Sequence, residues 1–267
     1  MNENKLVYYF GKNATEGDAS MKNLLGGKGA NLCEMTNLGI PVPAGFTLAT
    51  TVCKSYYENN RTYSDDILKQ VDENLAKLEK EMGKKLGDPN DPLLVSIRSG
   101  AAVSMPGMMD TVLNLGLTTA AVEGIAKNTG NPRFAWDSYR RFIQMYGDVV
   151  MNVSHHDFEH ILDRIKKKYK AKEDNDLTAS QLKELVDVYK KVYQSKVKKP
   201  FPQDPMEQLD LSIRAVFGSW DGDRAVKYRQ INKITGLLGT AVNVCTMVFG
   251  NMGPKCGTGV AFTRDGG

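Results

Sequence analysis

The sequence predicts an α+β fold, and three features predict it. Short apolar runs of strand character occur at residues 6–10, 93–97 and 240–249. Between residue 118 and about Pro200 the apolar positions instead recur at spacings of three and four, so helices are grouped together rather than alternating with strands. A glycine cluster carrying one lysine, Gly26-Gly27-Lys28-Gly29, opens an amphipathic stretch that Gly39, Pro41 and Pro43 close.

The totals set the frame. A chain of 267 residues, 41% hydrophobic and 25% charged, can bury one large core or two smaller ones. No apolar run reaches bilayer length, and the first ten residues are too aromatic for a signal peptide and lack the bias of a transit peptide, so a cytoplasmic protein with no membrane partner is expected. The net charge of +4 is modest. Much of it sits in the run from Lys166 to Lys172, which acidic residues flank and no aromatic platform accompanies; it reads as a solvated face, and no nucleic acid is expected. Cys33, Cys53, Cys245 and Cys256 are scattered and read as free thiols. His156 and His160 can share a helix face with no third ligand nearby, so no metal site is expected.

Taken in order, residues 6–10 form a first strand. The stretch from Leu24 to Leu38 then places Lys28 at a helix N-terminus, where N–H groups lack intrahelical partners and glycine lets a ligand approach. That is an anion site suited to phosphate. The pattern is neither a P-loop, which ends in Lys-Ser or Lys-Thr, nor a dinucleotide fingerprint, and by itself it also reads as a flexible turn with a solvated lysine. Residues 40–48 return to extended backbone, because each proline disfavours helix in the residue before it. Thr50 is expected to cap a helix through Tyr57, and Ser64 a longer one whose stripe is Ile67, Val71, Leu75, Leu78 and Met82.

The run at 93–97 is apolar throughout, as a doubly covered strand is, and ends on Arg98-Ser99-Gly100-Ala101. A charge followed by small residues at a strand end is where open sheets place ligand contacts. Arg98 also reads as a structural ion-pair partner. The segment from Ser104 to Thr111, with three methionines, a proline and a glycine, is a loop of functional composition, although Gly107 can be a plain turn. Helices are expected at 120–126, 132–146, 156–170 and 179–196, then from Asp204 through Trp220 and over 224–232. The closing runs 240–249 and 258–264, joined by a glycine-rich connection, are expected to be adjacent antiparallel strands of a sheet that continues beyond Gly267.

Six blocks carry a resemblance. Leu24-Leu-Gly-Gly-Lys-Gly-Ala-Asn-Leu, Gly39-Ile-Pro-Val-Pro-Ala-Gly-Phe, Val95-Ser-Ile-Arg-Ser-Gly-Ala, Ser104-Met-Pro-Gly-Met-Met-Asp-Thr, Asp137-Ser-Tyr-Arg-Arg-Phe-Ile-Gln-Met-Tyr and Gly257-Thr-Gly-Val-Ala-Phe-Thr-Arg resemble, in family order, the nucleotide-binding end of the pyruvate, phosphate dikinases. The resemblance implies an ATP-grasp-like N-terminal subdomain (1–117 with 204–249), an inserted helical subdomain (118–203) and the truncated start of a second β subdomain (250–267). It implies ATP as the ligand. Lys28 and Arg98 match the family's basic residues that hold the nucleotide phosphates, with Gly26, Gly27 and Gly29 beside the lysine. Gly107, Met108, Met109 and Thr111 match a loop near the phosphates.

The resemblance also implies that Thr246, Met247 and Val248 lie on the strand leading into the second subdomain, where backbone groups would contact adenine; Met247 also reads as core packing. Arg140 and Arg141 fall in a matching block, where helix packing or domain docking fits as well as catalysis. Mg2+ is implied as well, with ligands expected downstream of residue 267, together with a phosphocarrier histidine and a pyruvate-binding barrel, so the fragment is expected to be inactive alone. The full-length parent uses phosphate and pyruvate to make phosphoenolpyruvate and is expected to be a homo-oligomer. Cys245 departs from the family's usual glutamine. Two alternatives stand beside this reading: a pyruvate, water dikinase (phosphoenolpyruvate synthase), whose loop after the arginine is more acidic and lacks Met-Pro-Gly-Met-Met-Asp, and a non-catalytic nucleotide-binding regulatory module.

Overall fold

The computed structural model describes residues 5–261. In chain order it forms β1 (Val7–Phe10), α1 (Lys22–Asn37), β2 (Gly45–Leu48), α2 (Thr50–Glu58), α3 (Asp65–Met82), the short pair β3 (Lys85–Leu86) and β4 (Pro92–Leu93), β5 (Val95–Gly100) and β6 (Thr111–Leu115). The helices α4 (Thr119–Thr129), α5 (Pro132–Met145), α6 (His155–Tyr169), α7 (Ala179–Val197), α8 (Pro205–Gly218) and α9 (Asp223–Ile231) follow, and β7 (Ala241–Thr246) comes last.

Local chemistry accounts for the helices. The Thr118 hydroxyl accepts the Ala121 N–H, Asn131 accepts that of Phe134 just ahead of Pro132, Thr178 and Gln181 form a capping box, and Asp204 accepts the N–H of Met206. Gly83 and Gly130 end α3 and α4 in the left-handed conformation. The α3 stripe is buried as its spacing predicts, through Ile67, Val71, Leu75 and Leu78. Two expected caps are absent. The Thr50 hydroxyl donates to the Asn23 carbonyl at 2.7 Å instead, and the Ser64 side chain makes no cap bond. A turn of π-helix, Tyr146–Val150, extends α5.

The main sheet is antiparallel throughout and ordered β1-β2-β7-β5-β6. One continuous core joins it to the helices: Phe46, Ile97 and Val244 from the sheet and Phe142, Tyr189 and Phe217 from the helices are all fully buried. This order corrects the expectation of a C-terminal hairpin. Both edges of β7 are taken, by β2 and β5, so no ladder is left for a following strand. Residues 258–261 form no strand, and the remainder of that run, Phe262 to Arg264, lies outside the described residues.

Candidate functional site

The glycine cluster is first a packing device. Gly26 has φ 68° and ψ 169°, which breaks α1 and restarts it at Gly27. A Cβ on Gly26 would stand 1.6 Å from the Gly100 carbonyl oxygen, and one on Gly29 would stand 2.9 Å from Asn243 Oδ1 and from Thr47 Cγ2. Both glycines are buried. They let the helix lie directly on the ends of β5, β7 and β2. The Gly27 N–H donates to the Ala101 carbonyl at 2.9 Å, so this amide is not free for a ligand. Beneath the helix the Thr47 hydroxyl donates to Asn243 Oδ1 at 2.9 Å in a buried contact.

That seating brings Lys28 to the end of β5. Its Nζ donates to the Ser99 carbonyl at 2.9 Å, and desolvation in the groove, with the neighbouring Arg98 charge, lowers its pKa below the ordinary lysine value. Arg98 is exposed on β5, in register with Asn243 of β7 and Thr111 of β6. No carboxylate pairs with either cation among the described residues, which removes the structural ion-pair reading of Arg98. Two like charges held side by side without a counterion favour an anionic ligand between them.

A cavity of about 600 Å3 opens beside Lys28 and is walled by Gly27, Ser99 and the loop that includes Gly107 and Met109. No Asp or Glu lines it. Thr111 borders this cavity and a second one of about 500 Å3, which Met247, Val248, Arg141 and Asp148 also line. Thr246 lies at the Val95 end of the β5–β7 pair, whereas Gly100 pairs with Ala241 at the Lys28 end, a separation of roughly 16 Å along six strand residues. Of the sequence-expected residues, Gly27, Lys28, Gly107, Met109 and Thr111 line the first cavity and Thr111, Met247 and Val248 the second, while Arg98 lines neither. Gly26 and Gly29 are spent on packing, and Met108 packs against the core. Thr246 lines a neighbouring cavity of about 820 Å3 with Met247 and Val248.

The loop is pinned from behind. Met105 is buried, the Asp110 N–H donates to Ser219 Oγ at 3.2 Å, and the Asp110 carboxylate meets Arg224 at 3.4 Å. Burial raises the pKa of Asp110 despite that arginine. Arg140 is a structural residue. It is 4% exposed and binds Asp137 at 2.9 Å and Asp174 at 2.7 Å, tying α5 to the turn before α7. Sequence reasoning missed Lys22 and Asn31, which line the first cavity, and Ser219, which anchors the loop. Nothing in the linear pattern connects these residues to Lys28. Among the described residues no group of three or more His, Cys, Asp or Glu side chains could hold a metal ion. No helix among them is long and apolar enough to cross a membrane.

An antiparallel sheet that carries Lys28 and Arg98 without a carboxylate partner among the described residues, beside an acid-free cavity, defines an α+β domain with a cationic site suited to an anionic ligand. The profile of the family described as "Pyruvate phosphate dikinase, AMP/ATP-binding domain" matches residues 22–72 and 61–267, and the chain belongs to that family. It is 57% identical to the pyruvate, phosphate dikinase of Clostridium symbiosum over 98% of its own length and 30% of the relative's. It is 56% identical to the chloroplastic enzyme of Mesembryanthemum crystallinum and to chloroplastic enzyme 1 of Oryza sativa subsp. japonica, over 98% of this chain in each case. The chain spans between 27% and 30% of the length of these relatives.

Proposed function

We propose that this chain is the ATP-handling portion of a pyruvate, phosphate dikinase. In this reading the parent enzyme moves a phosphoryl group from ATP to a histidine on another domain and from there to pyruvate, giving phosphoenolpyruvate, with inorganic phosphate as co-substrate. The observation that carries it is the pairing of Lys28 and Arg98 on one sheet face with no carboxylate partner. Phosphoryl transfer depends mainly on positioning the reacting groups and offsetting oxygen charge, which two fixed cations can do. Lys28 and Arg98 hold the phosphates, and the loop around Gly107 and Met109 covers them together with Thr111. At the far end the Met247 carbonyl and the Val248 backbone are offered to adenine, the Met247 N–H being already bonded to the Leu94 carbonyl at 2.9 Å.

The names of the relatives favour this enzyme over a pyruvate, water dikinase. An ATP-grasp arrangement also belongs to the proposal, with residues 1–117 and 204–249 as the first subdomain, 118–203 as a helical insert and a second subdomain opposite. The placing of β7 in one sheet with β1, β2, β5 and β6 supports it. A Mg2+-dependent, homo-oligomeric parent and a cytoplasmic location are further parts of the proposal. Calorimetric titration of ATP into the chain tests the site. Saturable binding is expected, and Lys28→Gln or Arg98→Gln should each weaken it at least about tenfold. Unchanged affinity in either variant would refute the assignment.

A further inference from the structure

The phosphate cavity holds a second ammonium group. Lys22 opens α1 and lines the same cavity as Lys28, and Asn31 lines it one turn further on. Neither Lys22 nor Asn31 has a side-chain hydrogen bond or ion pair among the described residues. Six residues apart on an unbroken helix, Lys22 and Lys28 would point roughly 120° away from each other. The break at Gly26 changes that direction, and both border one cavity.

We infer that Lys22 is a further phosphate-binding residue of this site, taking the phosphoryl group farthest from the base, with Asn31 donating a neutral hydrogen bond beside it. The inference rests on the preceding reading that a nucleotide lies along β5. On that axis the base meets Met247 and Val248 at the Val95 end, Arg98 stands midway, and Lys28 sits at Gly100. Lys22 lies beyond the strand. It precedes the glycine that packs on the Gly100 carbonyl, and its neighbour Asn23 is tied to Thr50, past the end of β2. At about 600 Å3, with no carboxylate on its wall, the cavity has the capacity of a whole small-ligand site, for which about 300–1,000 Å3 is usual. A single phosphate would leave one of its two lysines uncompensated.

The consequence is a dependence on phosphate number. AMP, ADP and ATP are titrated into the wild-type chain, Lys22→Gln, Lys22→Arg and, as a charge-matched control outside the site, Lys191→Gln, with circular dichroism confirming the fold of each. Lys22→Gln is expected to lower ATP affinity about tenfold while leaving AMP affinity within about twofold. Lys22→Arg should keep ATP binding, and Lys191→Gln should change neither. Full ATP affinity in Lys22→Gln, an equal loss for AMP and ATP, or an equal loss in the control overturns the role of Lys22. If the wild-type chain itself binds ATP no more tightly than AMP at millimolar nucleotide, the nucleotide reading of the groove fails first, and this inference with it.

Discussion

Gly26 lies against Gly100 so closely that a Cβ on it would stand 1.6 Å from the Gly100 carbonyl oxygen, at a φ of 68° that side-chain-bearing residues rarely adopt. This contact sets the height of α1 over the sheet, and Lys28 is carried two residues further on. Gly26→Ala is therefore expected to destabilise the chain by about 3 kcal/mol or more, through backbone strain and overpacking together. Gly27→Ala should stay within about 1 kcal/mol of wild type, since alanine favours helix. A Cβ there would meet nothing nearer than the Ala101 oxygen at 3.5 Å. Urea denaturation separates the two, and equal midpoints would show that the close approach is not what demands glycine.

The lowered pKa of Lys28 gives opposite pH trends for stability and binding. Burial and the Arg98 charge make the folded chain release this proton at a lower pH than the unfolded chain does. Between the two values the unfolded state holds more protons, so stability rises with pH across that window. Phosphate binding needs the charge and weakens over the same range. Nucleotide affinity should fall on the alkaline side earlier than an ordinary lysine would dictate, and Arg98→Gln should move the midpoint of that fall upward. Titrations across alkaline pH read both effects; an unmoved midpoint would remove Arg98 as a cause.

The Arg140 network makes an acid-side prediction. Burial alone would raise the Asp174 pKa, but Arg140 and Lys166 outweigh it and hold the carboxyl below its usual range. Its stabilising contribution is complete above the unfolded carboxylate value of about 3.9 and disappears as pH falls through the lower folded value. Asp174→Asn should flatten the acid limb of the stability curve. Arg140→Met, which leaves the buried Asp137 with only the exposed Arg141 at 3.0 Å, should cost about 3 kcal/mol. Thermal melts between neutral and acid pH measure both.

Ser219 connects helix α8 to the loop that ends at Asp110. Its hydroxyl donates to the Val216 carbonyl at 2.7 Å and accepts the Asp110 N–H at 3.2 Å. Ser219→Ala should cost about 1 kcal/mol of stability. It should also speed hydrogen exchange at the Asp110 amide and weaken nucleotide binding about threefold. If exchange at that amide is unaltered, the hydroxyl does not hold the loop.

What the sequence by itself determined was local. The helix stripes, the helix start at Asp204, the strands at Val7, Val95 and Ala241, and the residue types of Lys28 and Arg98 all follow from periods and hydrogen bonds that span a few residues, whereas the caps expected at Thr50 and Ser64 are absent. The Gly26-Gly27-Lys28-Gly29 cluster was legible as special, but not as two packing glycines and one amide bound to Ala101. Only the tertiary structure decided that β7 sits in the centre of the sheet rather than in a terminal hairpin, that Thr111 joins two cavities, and that Lys22 shares a cavity with Lys28. The physical reason is the reach of the interactions. Strand order depends on backbone pairing between residues such as Arg98 and Asn243, 145 positions apart, and no local period encodes which distant strand a free edge will meet.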